Sequence, residues 1–292
     1  GELMMSLRRY LTTVYDWTGL AKKIYLSKAW EVFLVSFLFF VTLGVIYLFH
    51  GPIVTTHTEL ETFAPAKIVH PVGYAFGTVL ALILLISIYR MHKFVMKDFG
   101  VKIPLSVYIS ELGTLVKHFA TQAQLRFCEN KSFWIKHLLL MSGYSVAFIL
   151  VQVDYFTRWS LTNTPPPFWH PAKILWTYSM VAMLYVTTVA IIGRLRKKEP
   201  IHQYSHPTDW MFLILLWLTV FTGLLVRVFM QLDWPLPTYY AFSVHLALAV
   251  PLLGLEVPFA KWSHLAYRPF AMYFTSVKKR ALELTQSGQT SE

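Results

Sequence analysis

Six stretches of the chain, at 30–49, 71–89, 133–153, 172–193, 210–230 and 238–260, are almost free of charge. Each is about twenty residues long, the length at which an α-helix crosses ~30 Å of hydrocarbon. The pattern predicts an all-α integral membrane protein built as a six-transmembrane-helix bundle. Between the second and third stretches, Leu105, Ile109, Leu112, Leu115, Val116 and Phe119 recur at helical spacing. They predict an amphipathic helix packed under the bundle and available to a partner. Residues 1–28 mix apolar and basic positions, as a helix lying on a membrane surface does.

Composition agrees with a bilayer as solvent: 55% of residues are hydrophobic, 16% aromatic and only 14% charged. The net charge of +11 raises the question of nucleic acid, but its placement answers otherwise. Of 26 lysines and arginines, 22 fall in 1–29, 90–136, 194–208 and 261–292, alternate ends of the spans. By the positive-inside rule both termini are expected in the cytoplasm, and no nucleic acid partner is expected. The one cysteine, Cys128, excludes a disulfide framework or a cysteine-ligated cluster within the chain. The chain divides into a cytoplasmic or interfacial lead-in (1–29), a first helix and outer loop (30–69), a five-helix unit (70–275) and a tail (276–292).

Eleven histidines carry most of the chemical information, because a neutral imidazole can ligate haem iron from inside a helix bundle. His50, His57, His70 and His170 fall near the outer ends of spans; His92, His118, His202 and His206 fall on the inner side. His137 lies in span three, and His245 and His264 bracket span six. Intramembrane histidines need partners for both nitrogens and mark function by default. His245 and His264 are 19 residues apart, roughly 28 Å of helix rise, which sets one near each membrane face. Two haems stacked across a bilayer need that arrangement. An ideal helix would turn the second imidazole about 100° from the first, so a helical irregularity is expected between Gly254 and Pro258.

The run from His245 through Pro258, Phe259, Ala260 and Lys261 to His264 resembles the last helix of the respiratory nitrate reductase gamma subunit family. That family includes the membrane cytochromes of heterodisulfide reductase and of sulfite-reduction-associated quinone complexes. Asp209-Trp210 and Thr222-Gly223 are similar as well, and the five-helix unit 70–275 matches the family's helices, with the first span an addition. The resemblance implies two b-type haems, each held by two histidines. It implies that His264 and His137 hold the inner one and that His245 holds the outer one. Where the nitrate reductase pattern has its other outer histidine, this chain has Ala147. His70 is the first candidate to replace it, on matching helix level, followed by His50 and His170. No residue is assigned a catalytic role of its own.

The same resemblance implies a quinone site, for menaquinone in the first place, beside the outer haem. Lys173 matches a lysine there, and His170 and Trp169 of the stiff Thr164–His170 loop complete the candidate site. Arg90, Lys136 and Lys261 are candidates to pair with haem carboxylates. The expected protein is thus the cytochrome b subunit of a respiratory oxidoreductase in a prokaryotic cytoplasmic membrane. It would pass electrons between quinone and a cytoplasmic iron–sulfur subunit. A transporter and a haem-free membrane anchor are the alternatives.

Overall fold

The computed structural model describes residues 2–127, 131–157, 167, 169–197, 200–203 and 205–287. The chain opens with two short helices, α1 (Glu2–Tyr15) and α2 (Leu20–Leu26), joined by a turn in which Asp16 accepts hydrogen bonds from the Thr18 and Ala21 amides. The first span, α3 (Lys28–Phe49), starts at Ser27, whose hydroxyl accepts from the Trp30 amide. A one-turn helix, α4 (Leu60–Phe63), leads into α5 (Ala66–Met96). Helices α6 (Leu105–Ser110) and α7 (Leu112–Thr121) precede α8 (Lys131–Thr157) and α9 (Pro171–Leu195). The short α10 (Pro200–Gln203) is followed by α11 (Pro207–Gln231), α12 (Pro235–Pro251) and α13 (His264–Gln286).

Six of these segments are long and apolar enough to cross a membrane: Lys28–Phe49, Ala66–Met96, Lys131–Asp154, Pro171–Leu195, Pro207–Gln231 and Pro235–Glu256. The protein is therefore a multi-pass, all-helical membrane protein with lipid-facing helices. Helices α1 and α13 pack together at one end of the bundle, here called the terminal face; the opposite end is the far face.

Lipid is as apolar as leucine, so helices associate where backbones approach closely or polar groups meet. At Gly143 of α8 an added Cβ would lie 3.2 Å from the Ser179 carbonyl of α9, and the Ser179 hydroxyl donates to the Gly143 carbonyl at 2.5 Å. The core at the bundle centre joins Met180 and Met183 of α9 to Phe212, Leu213, Leu216 and Val220 of α11, with Leu252 and Trp262. On the terminal face α13 packs with Tyr267, Tyr273, Phe274 and Val277 against Tyr15, Met91 and Val107.

Three expectations change. Span six is not one continuous helix to His264: α12 passes into a π-helical turn at Leu252–Glu256, then a turn, a 3₁₀ turn at Lys261–Ser263 and a new helix. The irregularity foreseen between Gly254 and Pro258 thus begins at Leu252 and is larger than one extra residue, because Pro258 cannot continue the helix. His245 and His264 therefore stand on separate helices. The amphipathic stripe of α6 and α7 also faces differently, with Leu105, Ile109, Leu112, Val116 and Phe119 exposed and Leu115 turned toward the α13 cluster. Finally, the lead-in does not merely lie on a surface. Ala21 and Ile24 of α2 are fully buried against Leu255, Phe259 and Ala260 at the break after α12.

Candidate functional site

The break after α12 is held by polar contacts that reach three elements. The Glu256 carboxylate accepts the Lys261 amide at 3.1 Å, closing the turn on itself. The Lys261 ammonium lies 2.8 Å from Asp209, whose side chain is 1% exposed, in the first turn of α11. Asp209 also accepts the His206 amide, and His206 Nδ1 accepts the Thr208 amide, so His206 is the capping residue of α11. Thr12 of α1 meets Ser263 from above, hydroxyl to hydroxyl at 3.5 Å.

This anchored turn delivers His264 to the start of α13. Its Nδ1 lies 2.5 Å from the Lys261 carbonyl. A carbonyl only accepts, so Nδ1 carries the hydrogen and Nε2 is left with a lone pair, the tautomer of a metal-ligating histidine. Burial, and after it the charge of Arg8, pushes His264 down to about 3, which keeps the ring neutral. His137, in the second turn of α8, faces it with ring centroids 6.1 Å apart and planes at 64°. His137 Nδ1 is buried with no hydrogen-bond partner among the described residues.

An iron bonded at about 2 Å to one nitrogen of each of two opposed imidazoles sets the ring centroids roughly 6 Å apart. The orphaned Nδ1 of His137, the fixed tautomer of His264 and the spacing of the two rings fit a haem iron held by these two histidines. Among the described residues no three histidine, cysteine or carboxylate side chains gather into a metal cage.

Further toward the far face, His245 of α12 rests on α11. Its Nδ1 lies 2.9 Å from the Thr219 carbonyl and 3.3 Å from the Thr222 hydroxyl, so again Nε2 holds the lone pair. Gly223 makes room for the ring: a Cβ there would lie 3.1 Å from Cε1 and 3.3 Å from Nδ1. His50 stacks on Phe63 and bonds the Gly51 carbonyl, His170 begins α9, and His70 lies in the second turn of α5. Ala147 packs against the central core.

Of the candidate quinone residues, Lys173 reaches across from α9 to α11, donating to Gln231 at 2.8 Å. His170 accepts the Lys173 amide through its carbonyl, and Trp169 is 77% exposed. The loop residues 158–166 and Phe168 lie outside the described residues, as does Cys128. One turn from Gly223, Arg227 stacks its guanidinium 4.5 Å over Trp176, and the buried Asp154 acts on it electrostatically.

Sequence reasoning did not single out Arg8, Arg9, Thr219, Arg227 or the Asp209–Lys261 pair. An arginine within an apolar span, as Arg227 is near the end of α11, is itself a signal, since such a charge persists there only with partners. Of the candidates for haem carboxylates, Lys261 is engaged by Asp209, and Arg90 donates to the Val14 carbonyl at 3.2 Å. No family model, curated protein or solved structure matches this chain.

Proposed function

We propose that the protein is the membrane cytochrome b subunit of a respiratory oxidoreductase, related to the nitrate reductase gamma subunit family. The supporting observation is the opposition of His137 and His264, half-buried, on two different helices, with ring centroids 6.1 Å apart. These two histidines hold one b haem near the terminal face, and His245 holds a second nearer the far face. His70 is the first candidate to complete the second site, then His50 and His170.

Haem iron, when bound, takes up and gives back single electrons. The chain's own residues do the rest. The Lys261 and Thr219 carbonyls each hold an Nδ1 hydrogen and so aim Nε2 of His264 and His245 inward. Lys173, with His170 and Trp169, offers hydrogen bonds to a quinone carbonyl at the far face, menaquinone being the first candidate. With the terminal face in the cytoplasm, quinol oxidised there releases its protons outside. The two histidine levels, His245 and then His137 with His264, would lie between that site and an iron–sulfur subunit on the other face of a prokaryotic cytoplasmic membrane.

The test is a reduced-minus-oxidised spectrum of the purified protein with a pyridine haemochrome count. Two haems b per chain are expected, and folded protein without haem b ends this reading. One observation favours a second reading, proton or ion transport. Glu31 and Glu256, from different spans, are both buried and act on each other electrostatically, and one Glu31 oxygen has no hydrogen-bond partner among the described residues. Haem-free protein that carries protons in vesicles would replace the first reading with this one.

A further inference from the structure

Helix α1 brings two arginines to the turn that carries His264. Thr12 touches Ser263, the residue before that histidine, and Arg8 precedes Thr12 by one helical turn on the same face. Tyr15 continues the contact, its ring meeting Tyr267 edge to face with centroids 5.3 Å apart.

The two guanidiniums are poorly satisfied where they sit. Each carries five N–H donors in a planar fork. Arg8 makes no side-chain hydrogen bond among the described residues; its nearest carboxylate oxygen, on Asp209, is 3.9 Å away. Arg9 lies 3.8 Å from the other Asp209 oxygen, and its one hydrogen bond goes to the Ser6 hydroxyl at 3.3 Å. Arg9 is only 14% exposed, and its second terminal nitrogen is buried without an acceptor among the described residues. Both separations from Asp209 exceed hydrogen-bond reach. Asp209 instead holds the Lys261 ammonium at 2.8 Å and accepts the His206 amide, and it stays beyond hydrogen-bond reach of both arginines.

A pair of guanidiniums turned inward over one turn of chain, with donors to spare, is suited to a planar oxyanion bound in fork geometry. The group that must come closest to His264 under the proposed function carries two such oxyanions, the carboxylates of haem b. We infer that Arg8 and Arg9 form a carboxylate-receiving site over the His264 turn, which clasps the propionates of the haem held by His137 and His264. This rests on the cytochrome reading and gives the N-terminal helix a role in it. It also explains why an arginine-bearing helix is packed onto the bundle beside the turn that carries His264. A phospholipid headgroup offers related chemistry, and the test separates the two.

The full chain, purified with its haems into nanodiscs, is compared with Arg8→Gln, Arg9→Gln and the double variant. Haem is counted by pyridine haemochrome, and each haem's midpoint potential is read by redox titration. The single variants are expected to keep both haems, with one potential shifted negative, because loss of a nearby cation disfavours the added electron. The double variant should lose that haem or shift its potential further, while the other haem stays unchanged. Arg8→Lys with Arg9→Lys, which keeps the charge, should restore much of the potential and tolerates a double glutamine variant that fails to fold. Unchanged haem count and potentials in all variants would overturn the inference while leaving the cytochrome reading intact. A phospholipid seen by native mass spectrometry on the wild type, lost from the double variant with both haems unmoved, would also overturn it by assigning the site to lipid. A wild type without haem b would remove the cytochrome reading itself.

Discussion

The ammonium of Lys261 lies 2.8 Å from the buried carboxylate of Asp209, and the backbone carbonyl of the same lysine holds Nδ1 of His264. An acid in the first turn of α11 thereby fixes the hydrogen bond that orients a histidine on α13. Asp209→Asn keeps a cap acceptor for His206 but leaves the lysine and two nearby arginines without their carboxylate. Breaking such a buried pair costs about 3–5 kcal/mol, whereas removing both partners costs less. Thermal unfolding in detergent should show a large loss for Asp209→Asn and a smaller one for Asp209→Asn with Lys261→Met. In haem-loaded protein, both variants should change the low-spin electron paramagnetic resonance signature of the haem at His137 and His264 alone. An unaltered signature would mean that Asp209 stabilises the fold without positioning His264.

Gly223 opposes two effects that can be weighed. In a helix interior, alanine is favoured over glycine by about 1 kcal/mol. Here the added methyl would press on His245 at 3.1–3.3 Å, closer than ordinary contact. The ring is fixed by Thr219 and Thr222 behind it, so it must give up one of those hydrogen bonds to move. Gly223→Ala should therefore bring no gain in melting temperature and should shift the potential of the haem on His245. Gly223→Leu should lose that haem and keep the one on His137 and His264. Retention of both haems in Gly223→Leu would remove His245 from the ligand set.

How much of this is legible in the sequence differs from one feature to the next. The six spans are, because crossing ~30 Å of hydrocarbon imposes a length and an apolar composition that no tertiary contact can replace. Strain between His245 and His264 was legible too, in a 19-residue spacing with prolines inside it. What followed from that strain was not. One misfit residue is compatible with a kinked helix or with a break, and here the Glu256 and Asp209 contacts to Lys261 favour a break. The approach of Arg8 to the His264 turn joins residues more than 250 positions apart, and no local pattern encodes it. The outward face of α6 and α7 shows the same limit from another side. Helical spacing gave the stripe, but its neighbours decide which way it turns.

His206 supplies a pH-dependent cap. Its Nδ1 accepts the Thr208 amide only while unprotonated. Burial, then the Arg9 charge, lowers its folded value below the ordinary 6.5, against upward pulls from Asp209 and the Tyr25 backbone. As pH falls past 6.5, the unfolded chain takes the proton first, so it binds more protons than the folded chain in that window. Stability is then present in full above 6.5 and is lost as pH drops through the folded value. The loss should be about 1 kcal/mol, the usual worth of a cap. His206→Asn keeps an acceptor that does not titrate. Its melting temperature should be flatter than wild type between pH 7 and 5, and equal slopes would show that other groups set the dependence.

Lys173 is the point where anchor and ligand make different forecasts. Its ammonium donates to Gln231 at 2.8 Å, tying the start of α9 to the end of α11. If that tie is its work, Lys173→Met and Gln231→Leu should lower the melting temperature alike and leave quinol kinetics alone. A quinone carbonyl at the site would instead compete with Gln231 for the same donor. Lys173→Met then removes one hydrogen bond from the bound substrate, worth about 1 kcal/mol or roughly fivefold in KM. Gln231→Leu frees the donor and should hold KM steady or lower it. The expected outcome is this opposite pair of changes, measured as menaquinol oxidation by the reconstituted complex. A Lys173→Met protein with wild-type KM would take Lys173 out of the quinone site and leave it as a structural tie.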